Sequence, residues 1–402
     1  MEKENSCTRF EVPGFQASGI SAGIKRNKAK DLALIYSEIP AFAAAVFTQN
    51  KVKAAPVLVS IEKAKKHLCQ AIIVNSGNAN ACTGDAGLQD AQLMSRLAAE
   101  KLNIDETLVL VASTGVIGKS LPIETISRNI PQLVDGLTTD GILGAAEAIM
   151  TTDTHPKIVL KKGIIDNKEV TICGITKGAG MIMPNMATML AFIMTDAAIE
   201  AQTLEKVFKE GIRCSFNSIS IDGETSTNDT AIVLANGKAK NSIITEDSQD
   251  LELFKNLLVD VLVDLSSMIV KDGEGATKFV EIRVINSKEY NEAIKVAFSV
   301  ANSNLVKTAF FGEDCNWGRI ISAVGASGVN VDPKKINVSF EDIMVVKNGF
   351  STGVQQEEKA SKVLRKKKFK VTIDLNSGSS DARVFTTDLS PEYVTINANY
   401  RT

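Results

Sequence analysis

Residues 177–195 read KGAGMIMPNMATMLAFIMT, a glycine-rich stretch that passes through Pro184 and Asn185 into an apolar strand starting at Thr188. One interpretation is self-cleavage, in which the Thr188 hydroxyl attacks the Ala187 carbonyl and water then hydrolyses the resulting ester. The new N-terminal threonine would carry nucleophile and base together, because an α-amino group has an ordinary pKa of about 7.7 to 8. The other interpretation is a plain glycine-rich turn with Thr188 as a strand residue. This stretch alone leaves both open.

The composition of the whole chain is typical of a soluble globular protein. The chain has 402 residues, 44% of them hydrophobic and 23% charged, and at roughly 150 residues per domain this length predicts two or three domains. The 45 lysines and arginines are matched by 47 aspartates and glutamates, so no basic surplus favours nucleic-acid binding. No apolar run approaches the roughly 18 residues of a membrane helix, and no membrane association is expected.

The N-terminal sequence and the scarcity of metal-binding side chains indicate a cytoplasmic protein without a metal centre. The first residues, MEKENSC, have the character of neither a signal peptide nor a transit peptide. The six cysteines lie far apart with no CxxC pair, which favours neither a disulfide framework nor a zinc site. Because His67 and His155 are the only histidines, a histidine-dependent mechanism has to use one of them.

Alternating strand-like and helix-like segments predict a mixed α/β fold. β-branched runs precede Asn75 and Ala112, and amphipathic stretches at 88–102 and 251–268 have helical spacing. The late strand-like runs KFVEIRVI, FKVTIDL, ARVFTTDL and YVTINA follow one another with hairpin-like turns and little helix between them. They predict a largely antiparallel sheet in a smaller C-terminal unit that begins near residue 285. The terminal INANYRT also has strand-like character, which indicates an ordered terminus.

A polar segment stands where an apolar strand is predicted to end, VASTGVIG at 111–118. The backbone N–H of Gly115, beside the hydroxyl of Thr114, could donate to a developing oxyanion. Such an interaction is typically worth about 3 to 4 kcal/mol in a transition state. The alternative is a simple strand-to-loop turn.

Three further loops are candidates for contact with a substrate. VNSGNANACTG at 74–84 could line a polar pocket or cap the helix that follows it. TTDTHPK at 151–157 and KDGEGATK at 271–278 each place several hydrogen-bonding groups after an apolar helix. Glu274, between two glycines, could pair with an ammonium group, and a solvated loop carboxylate is the alternative.

The motifs of common cofactor-dependent enzymes are absent from the sequence. There is no Walker A loop, no GxGxxG after a strand, no HExxH and no GxSxG. The segment Gly178-Ala-Gly180 lacks the third glycine of a dinucleotide-binding loop. We therefore expect no bound cofactor.

Eight ordered blocks resemble the ornithine acetyltransferase family of the cyclic arginine pathway. They are VNSGNANACTG, VASTGVIG, TTDTHPK, KGAGMIMPNMATML, SFNSISIDGETSTND, KDGEGATKF, FFGEDCNWGRI and INANYRT, and the resemblance runs from about residue 10 to Thr402. It implies an N-terminal-nucleophile-like sandwich of central β-sheets flanked by helices, with a smaller C-terminal α/β unit. It also implies two chains after self-cleavage, an α chain of residues 1–187 and a β chain of residues 188–402.

The resemblance also implies roles for individual residues. Thr188 would be the nucleophile after cleavage between Ala187 and Thr188, with Thr114 and Gly115 stabilising the oxyanion. The residues that would line the substrate site are Thr151, Lys177, Thr188, Glu274, Asn397 and Thr402, with Thr152 as the alternative to Thr151.

The implied activity is acetyl transfer from N-acetylornithine to glutamate through an acetyl-threonine ester in a ping-pong cycle. Lys177 would meet a substrate carboxylate, and Glu274 would meet the ammonium group of ornithine. Acetyl-CoA is a candidate second donor, and the implied assembly is an α2β2 heterotetramer. Two other classes stay open. One is a self-processed N-terminal-threonine amidase or aminopeptidase that uses water as acceptor, and the other is a non-enzymatic binding protein whose chain stays intact.

Overall fold

The computed structural model describes residues 9–183 and 189–399. Ala187, Thr188 and Thr402 lie outside the described residues, so their roles in cleavage and substrate binding stay predictions. The chain divides into two compact units. The first combines Met1–Gly178, Asn185–Asn217 and Thr225–Ser266, and the second combines Ala179–Pro184, Ser218–Glu224 and Ser267–Thr402.

The first unit is built on a mixed sheet that has eight strands within the described residues. The strands are β1 (Phe15–Ile20), β2 (Leu32–Phe47), β3 (Leu68–Asn78), β4 (Val109–Val116), β5 (Lys157–Ile165), β6 (Lys168–Lys177), β7 (Leu190–Thr195) and β8 (Thr230–Ala235). Their spatial order is β4-β3-β2-β8-β7-β6-β5, and β1 pairs with β2. β3 and β4 run parallel, as do β7 and β8, whereas the other neighbours are antiparallel.

Helices cover both faces of this sheet. They are α1 (Ala55–Ala64), α2 (Gly84–Leu102), α3 (Ile123–Asp135), α4 (Ile142–Ile149), α5 (Ala201–Cys214) and α6 (Leu251–Lys271), the last of which continues into the second unit. Successive strand residues point to opposite faces. Accordingly, Ile73 of β3 packs in a cluster with α1, α2 and α3, whereas its neighbour Ile72 packs in another cluster with α4. The predicted mixed α/β class is confirmed.

The second unit is built on a six-stranded sheet, again counted over the described residues. Its strands are β9 (Phe279–Ser287), β10 (Asn337–Phe340), β11 (Ile343–Lys347), β12 (Phe350–Ser351), β13 (Lys368–Asp374) and β14 (Ser380–Thr387). Its helices are α7 (Tyr290–Ala301), α8 (Asn304–Phe311), α9 (Trp317–Gly325), α10 (Val354–Leu364) and α11 (Pro391–Ala398). The strand order is β12-β11-β10-β13-β9-β14, and only the β9–β13 pair is parallel among the described strands.

The helices of the second unit correct one expectation from the sequence. Little helix was expected among the late strands, but α7 to α10 lie between β9 and β13 and pack on the sheet. The parallel β9–β13 pair explains why, because parallel neighbours need a long crossover connection, which is usually helical. The longest segment of this unit begins at Ser267, inside α6, whereas the sequence suggested a start near residue 285. In the described parts of the chain, no helix is long and apolar enough to cross a membrane.

The expectation of a strand at the C-terminus is wrong, because YVTINA lies in helix α11. Pro391 occupies the first turn, where its missing N–H costs nothing. The polar side chains then bond back to the helix itself, since Asn397 Nδ2 donates to Tyr393 O and Asn399 Nδ2 donates to Thr395 O. These local bonds override the β preference of the β-branched residues in the segment.

Candidate active site

Thr114 and Gly115 lie near the end of β4, beside the parallel strand β3. The strand does not end before them, as the sequence suggested, but continues to Val116, with Gly115 opposite Gly77. Gly115 has a φ of +133°, and a Cβ on it would lie 2.4 Å from the carbonyl carbon of Gly77. Glycine is therefore required at this position. The register shifts between Gly77 and Asn78, an irregularity of the kind that re-aims a strand end.

Buried polar side chains hold this strand end in place. Ser113 Oγ donates to Asn75 Oδ1 at 2.6 Å. Asn228 Nδ2 donates to the backbone carbonyls of Ser113, at 2.8 Å, and Ala79, at 2.7 Å. The side chains of Ser113, Asn75 and Asn228 are all buried. Hydrogen bonds away from water are strengthened by the low local dielectric, so this network fixes the residue that precedes Thr114.

Lys177, the last residue of β6, lies against Thr114. Its Nζ donates to Thr114 Oγ1 at 3.4 Å, and both side chains are buried. An ammonium group only donates, so Oγ1 is the acceptor in this contact, and the hydroxyl proton of Thr114 points elsewhere. No described residue accepts that proton. The Thr114 hydroxyl is therefore able to donate to a negatively charged oxygen.

Asp153, in the loop after α4, connects several of these groups. Its Oδ1 accepts hydrogen bonds from Lys157 Nζ and from the Gly178 N–H, both at 2.6 Å. Its Oδ2 accepts the Thr151 N–H at 3.0 Å. The side chains of Asp153 and Lys157 are fully buried. One carboxylate thus sets the positions of the Thr151 backbone and of the residue that follows Lys177.

Asp153 stays ionised because of its neighbours. Burial on its own would raise the pKa of Asp153. The positive charges of Lys177 and Lys157, together with the Gly178 N–H, outweigh burial and lower the pKa to about 2. Both lysines therefore interact electrostatically with this one carboxylate.

Lys25 adds a third lysine to the same region. Its Nζ donates to the carbonyls of Lys30, at 2.8 Å, and Met150, at 2.7 Å, so it lies next to the Thr151 backbone. Burial lowers the pKa of Lys25 to about 8, and the charge of Lys177 acts in the same direction against the opposing charge of Asp31. Lys25 is therefore a cation at neutral pH that loses its charge in mildly alkaline solution.

Glu274 and Asn397 meet within the second unit. Asn397 Nδ2 donates to Glu274 Oε2 at 2.8 Å, and the Glu274 N–H donates to the Ala179 carbonyl at 2.8 Å. A Cβ on Gly180 would lie 2.4 Å from the Glu274 carboxyl carbon, so the chain passes the carboxylate only because Gly180 has no side chain. A half-buried carboxylate with a fixed amide donor can bind an ammonium group.

The Asp222 carboxylate accepts hydrogen bonds from residues that neighbour Glu274 and Asn397. It accepts the N–H groups of Met181, at 2.5 Å, and Ile182, at 2.7 Å. The Tyr393 hydroxyl donates to Asp222 Oδ2 at 3.2 Å, and burial together with the Asp222 charge raises the pKa of Tyr393, so this hydroxyl stays a donor. One carboxylate thus ties residues 181–182 to helix α11, which carries Asn397.

Nearly the whole chain, residues 16–402, matches the family model described as the ArgJ family. This chain belongs to the ArgJ family. The family match and the relatives named ArgJ at 45–53% identity confirm the resemblance based on the eight sequence blocks.

Individual members of the ArgJ family match this chain along its length. It is 53% identical to the arginine biosynthesis bifunctional protein ArgJ of Geobacter sulfurreducens over 393 residues, which is 98% of this chain and 100% of that protein. It is 50% identical to the protein of the same name from Syntrophotalea carbinolica over 392 residues, again 98% and 100%. The solved structure of Mycobacterium tuberculosis ornithine acetyltransferase complexed with ornithine is 38% identical, covers 43% of this chain and 92% of that one, and has a TM-score of 0.39.

The predicted site residues of this ArgJ-family chain fall into three groups. Thr114, Gly115 and Lys177 lie together in the first unit, and the Thr151 backbone is tied to them through Asp153. Glu274 and Asn397 lie together in the second unit. Ala187, Thr188 and Thr402 lie outside the described residues. The choice between Thr151 and Thr152 stays a prediction.

The sequence alone did not single out three polar residues of this ArgJ-family site. Asp153 stands inside the quoted TTDTHPK block, and its spacing of four from Lys157 was the available signal. Asn228 is the second-to-last residue of the SFNSISIDGETSTND block, just before an apolar strand, which was a weaker signal. Lys25 had no signal, because only the fold brings it to Met150.

Proposed function

We propose that this protein is an acetyltransferase of arginine biosynthesis that moves the acetyl group of N-acetylornithine to glutamate. The ArgJ-family match across residues 16–402 carries this proposal. The names of the relatives, arginine biosynthesis bifunctional protein and ornithine acetyltransferase, support the same activity. The grouping of Thr114, Gly115 and Lys177 supplies the polar groups that such a reaction needs.

The proposed reaction begins with self-cleavage between Ala187 and Thr188. The Thr188 hydroxyl oxygen adds to the Ala187 carbonyl carbon, the bond to the Thr188 nitrogen breaks, and that nitrogen takes up a proton. Water then hydrolyses the ester, which leaves an α chain of residues 1–187 and a β chain of residues 188–402. The free amine of Thr188 can then act as the base for its own hydroxyl. We propose that the cleaved chains assemble as an α2β2 heterotetramer in the cytoplasm.

Acetyl transfer then follows a ping-pong cycle. The Thr188 hydroxyl attacks the acetyl carbonyl of N-acetylornithine, and its proton passes through the Thr188 amine to the departing ornithine nitrogen. The Thr114 hydroxyl and the Gly115 N–H donate to the oxyanion, a stabilisation of about 3 to 4 kcal/mol for one such donor. The amine of glutamate then attacks the acetyl-threonine ester, which restores the enzyme. No bound cofactor takes part in this cycle.

The substrates are charged amino acids, and the site offers complementary charges. Lys177, with Lys25 close to the Thr151 backbone, gives the first unit cations for substrate carboxylates. Glu274, with its Asn397 donor, suits the ammonium group of ornithine. Thr151 and Thr402 complete the proposed substrate contacts.

Product analysis tests the proposed function against its alternatives. Purified protein is incubated with N-acetylornithine, with and without glutamate, and the products are measured by mass spectrometry. We expect ornithine and N-acetylglutamate in equal amounts, and little turnover without glutamate. Acetate and ornithine formed at the same rate without glutamate would show an amidase instead. No turnover of any substrate would favour a binding protein.

A second reaction mixture tests the acetyl-CoA activity. The relatives are named bifunctional, and this supports acetyl-CoA as a second acetyl donor. We expect N-acetylglutamate from acetyl-CoA and glutamate without ornithine. If none forms while transfer from N-acetylornithine proceeds, the protein only recycles acetyl groups.

The depressed pKa of Lys25 predicts a specific pH dependence of substrate binding. A lysine is cationic below its pKa, so Lys25 loses its charge as the pH rises through about 8. We expect the KM for N-acetylornithine to rise above that pH, because a carboxylate partner is lost. Lys25→Met should have a raised KM already at pH 7 and no further rise near pH 8. Lys30→Met, which removes the exposed Lys30–Glu147 ion pair, is the matched control and should follow the wild-type profile.

A further inference from the structure

The two residues just before β8 form hydrogen bonds with the end of β4 and with Met189, the residue before β7. Asn228 donates to the Ser113 carbonyl in β4, as described above. Its neighbour Asp229 accepts the Met189 N–H on Oδ1 at 3.1 Å. The Thr230 N–H donates to the Met189 carbonyl at 3.1 Å. Residues 229 and 230 therefore hold both backbone groups of Met189, whose nitrogen is bonded to the carbonyl carbon of Thr188.

Asp229 is an unusual carboxyl group. Its side chain is 1% exposed, and its Oδ2 has no hydrogen-bond partner within residues 9–183 and 189–399. Burial raises the pKa of Asp229 well above its ordinary range, although the Met189 N–H and the Lys177 charge act in the opposite direction. Burial thus favours the protonated, neutral form of this carboxyl group. Burying an unpaired polar oxygen destabilises a fold, so the stability of the fold does not explain this residue.

We propose that Asp229 is a positioning residue for self-cleavage and acetyl transfer, which fixes the Met189 amide and so the direction in which the chain leaves Thr188. This inference rests on the proposed function, because it needs Thr188 as the nucleophile. Position matters for such a group, since a displacement of about 1 Å can lower a rate about a hundredfold. In this role Asp229 contributes a fixed acceptor oxygen and transfers no proton.

Two substitutions of Asp229 show whether cleavage depends on the position of its acceptor oxygen or on its ability to ionise. Asp229→Asn keeps the acceptor oxygen and the shape of the neutral acid but cannot ionise. Asp229→Glu keeps the acid but moves it by one methylene group. We expect the Asn variant to cleave itself within about threefold of the wild-type rate. We expect the Glu variant to be at least about tenfold slower.

Kinetics of the cleaved protein give an independent measurement. Asp229 is proposed to hold the nucleophile and not the substrate. In the cleaved fraction of the Glu variant, kcat should therefore fall while the KM for N-acetylornithine stays unchanged. Cleavage is followed by intact mass over time, and thermal melting reports whether each variant is folded.

Asp196 provides the matched control at the other end of β7. It is 2% exposed, its Oδ1 accepts the Thr171 N–H at 2.7 Å, and burial raises its pKa as well. Asp196→Asn and Asp196→Glu change the same chemistry at the same kind of site. Both should cleave at the wild-type rate.

The outcomes separate this role from the proposed function. A wild-type protein that cleaves, together with a folded Asn variant that does not, overturns the positioning role alone. An active Glu variant beside an inactive Asn variant overturns it too, because acidity would then be the requirement. Equal slowing of the Asp196 and Asp229 variants would indicate general destabilisation. If the Glu variant fails to fold, a folded but uncut Asn variant still overturns the positioning role, and an uncut wild type rejects both proposals.

Discussion

Thr188→Ala is expected to remain one uncut chain near 43.1 kDa and to transfer no acetyl group. The substitution removes the hydroxyl that attacks the Ala187 carbonyl, so neither the ester nor the new N-terminal amine forms. Wild-type protein should instead give two masses that sum to 43.1 kDa plus one water, divided between Ala187 and Thr188. Intact-mass spectra of freshly purified, denatured protein make the comparison.

Two variants control this experiment. Thr188→Ser keeps a hydroxyl group and should still cleave and transfer. Thr195→Ala removes a threonine hydroxyl from the C-terminal end of β7, where Oγ1 accepts the Ala197 N–H, and it should cleave like the wild type. A single uncut chain in the wild-type sample contradicts the mechanism, because Thr188 would then lack its amine base.

Asp153→Asn is expected to destabilise the first unit by about 3 to 5 kcal/mol, because it breaks a fully buried ion pair and leaves a buried cation. The loss should extend to activity, since Asp153 positions Thr151 and Gly178. Urea unfolding of the variant and the wild type, both carrying Thr188→Ala so that the chain is uncut, measures the change. A drop in stability below about 1 kcal/mol would contradict this account of the pair.

The acid dependence of this effect follows from the pKa of Asp153. The carboxyl pKa is lowered from 3.8 to about 2 in the folded chain, so the ionised form stabilises the fold above pH 4. That contribution is lost as the pH falls through about 4 towards about 2. The stability difference between the wild type and Asp153→Asn should therefore shrink over this interval. Glu169→Gln, which removes the exposed partner of Lys162 on the neighbouring strand, should show no measurable change at any of these pH values.

Several strands and helices of the first unit could be predicted from the sequence. Runs such as AIIV before Asn75 and LVLV before Ala112 are strands β3 and β4, because apolar β-branched residues favour a sheet buried on both faces. The periodic stretch at 251–268 lies within helix α6. The sequence predicts Thr114, Gly115 and Lys177 as site residues, and the fold brings Thr114 and Lys177 into contact.

Other features could not be predicted, for physical reasons. Helix α6 runs through the division between the units at Ser266, so no change in composition marks the boundary. The C-terminal helix was missed because Val394, Thr395 and Ile396 favour strands, whereas side-chain bonds to the helix backbone decide its form. Lys25 Nζ lies near Thr151 because it donates to the Met150 carbonyl, which is 125 residues away in the sequence. No local sequence pattern predicts such a long-range contact.

The strand order has a consequence for what the proposed cut can release. Strands β1 to β6 belong to the α chain, and β7 and β8 belong to the β chain. In the sheet, β7 and β8 stand between β2 on one side and β6 on the other, so the β chain is hydrogen-bonded to the α chain along both edges of its strand pair. Separating the two fragments would require breaking the hydrogen bonds of two strand pairs, β2–β8 and β6–β7. The proposed cut would therefore break one covalent bond and yield two polypeptides that stay paired in one sheet, each lacking strands that the other supplies.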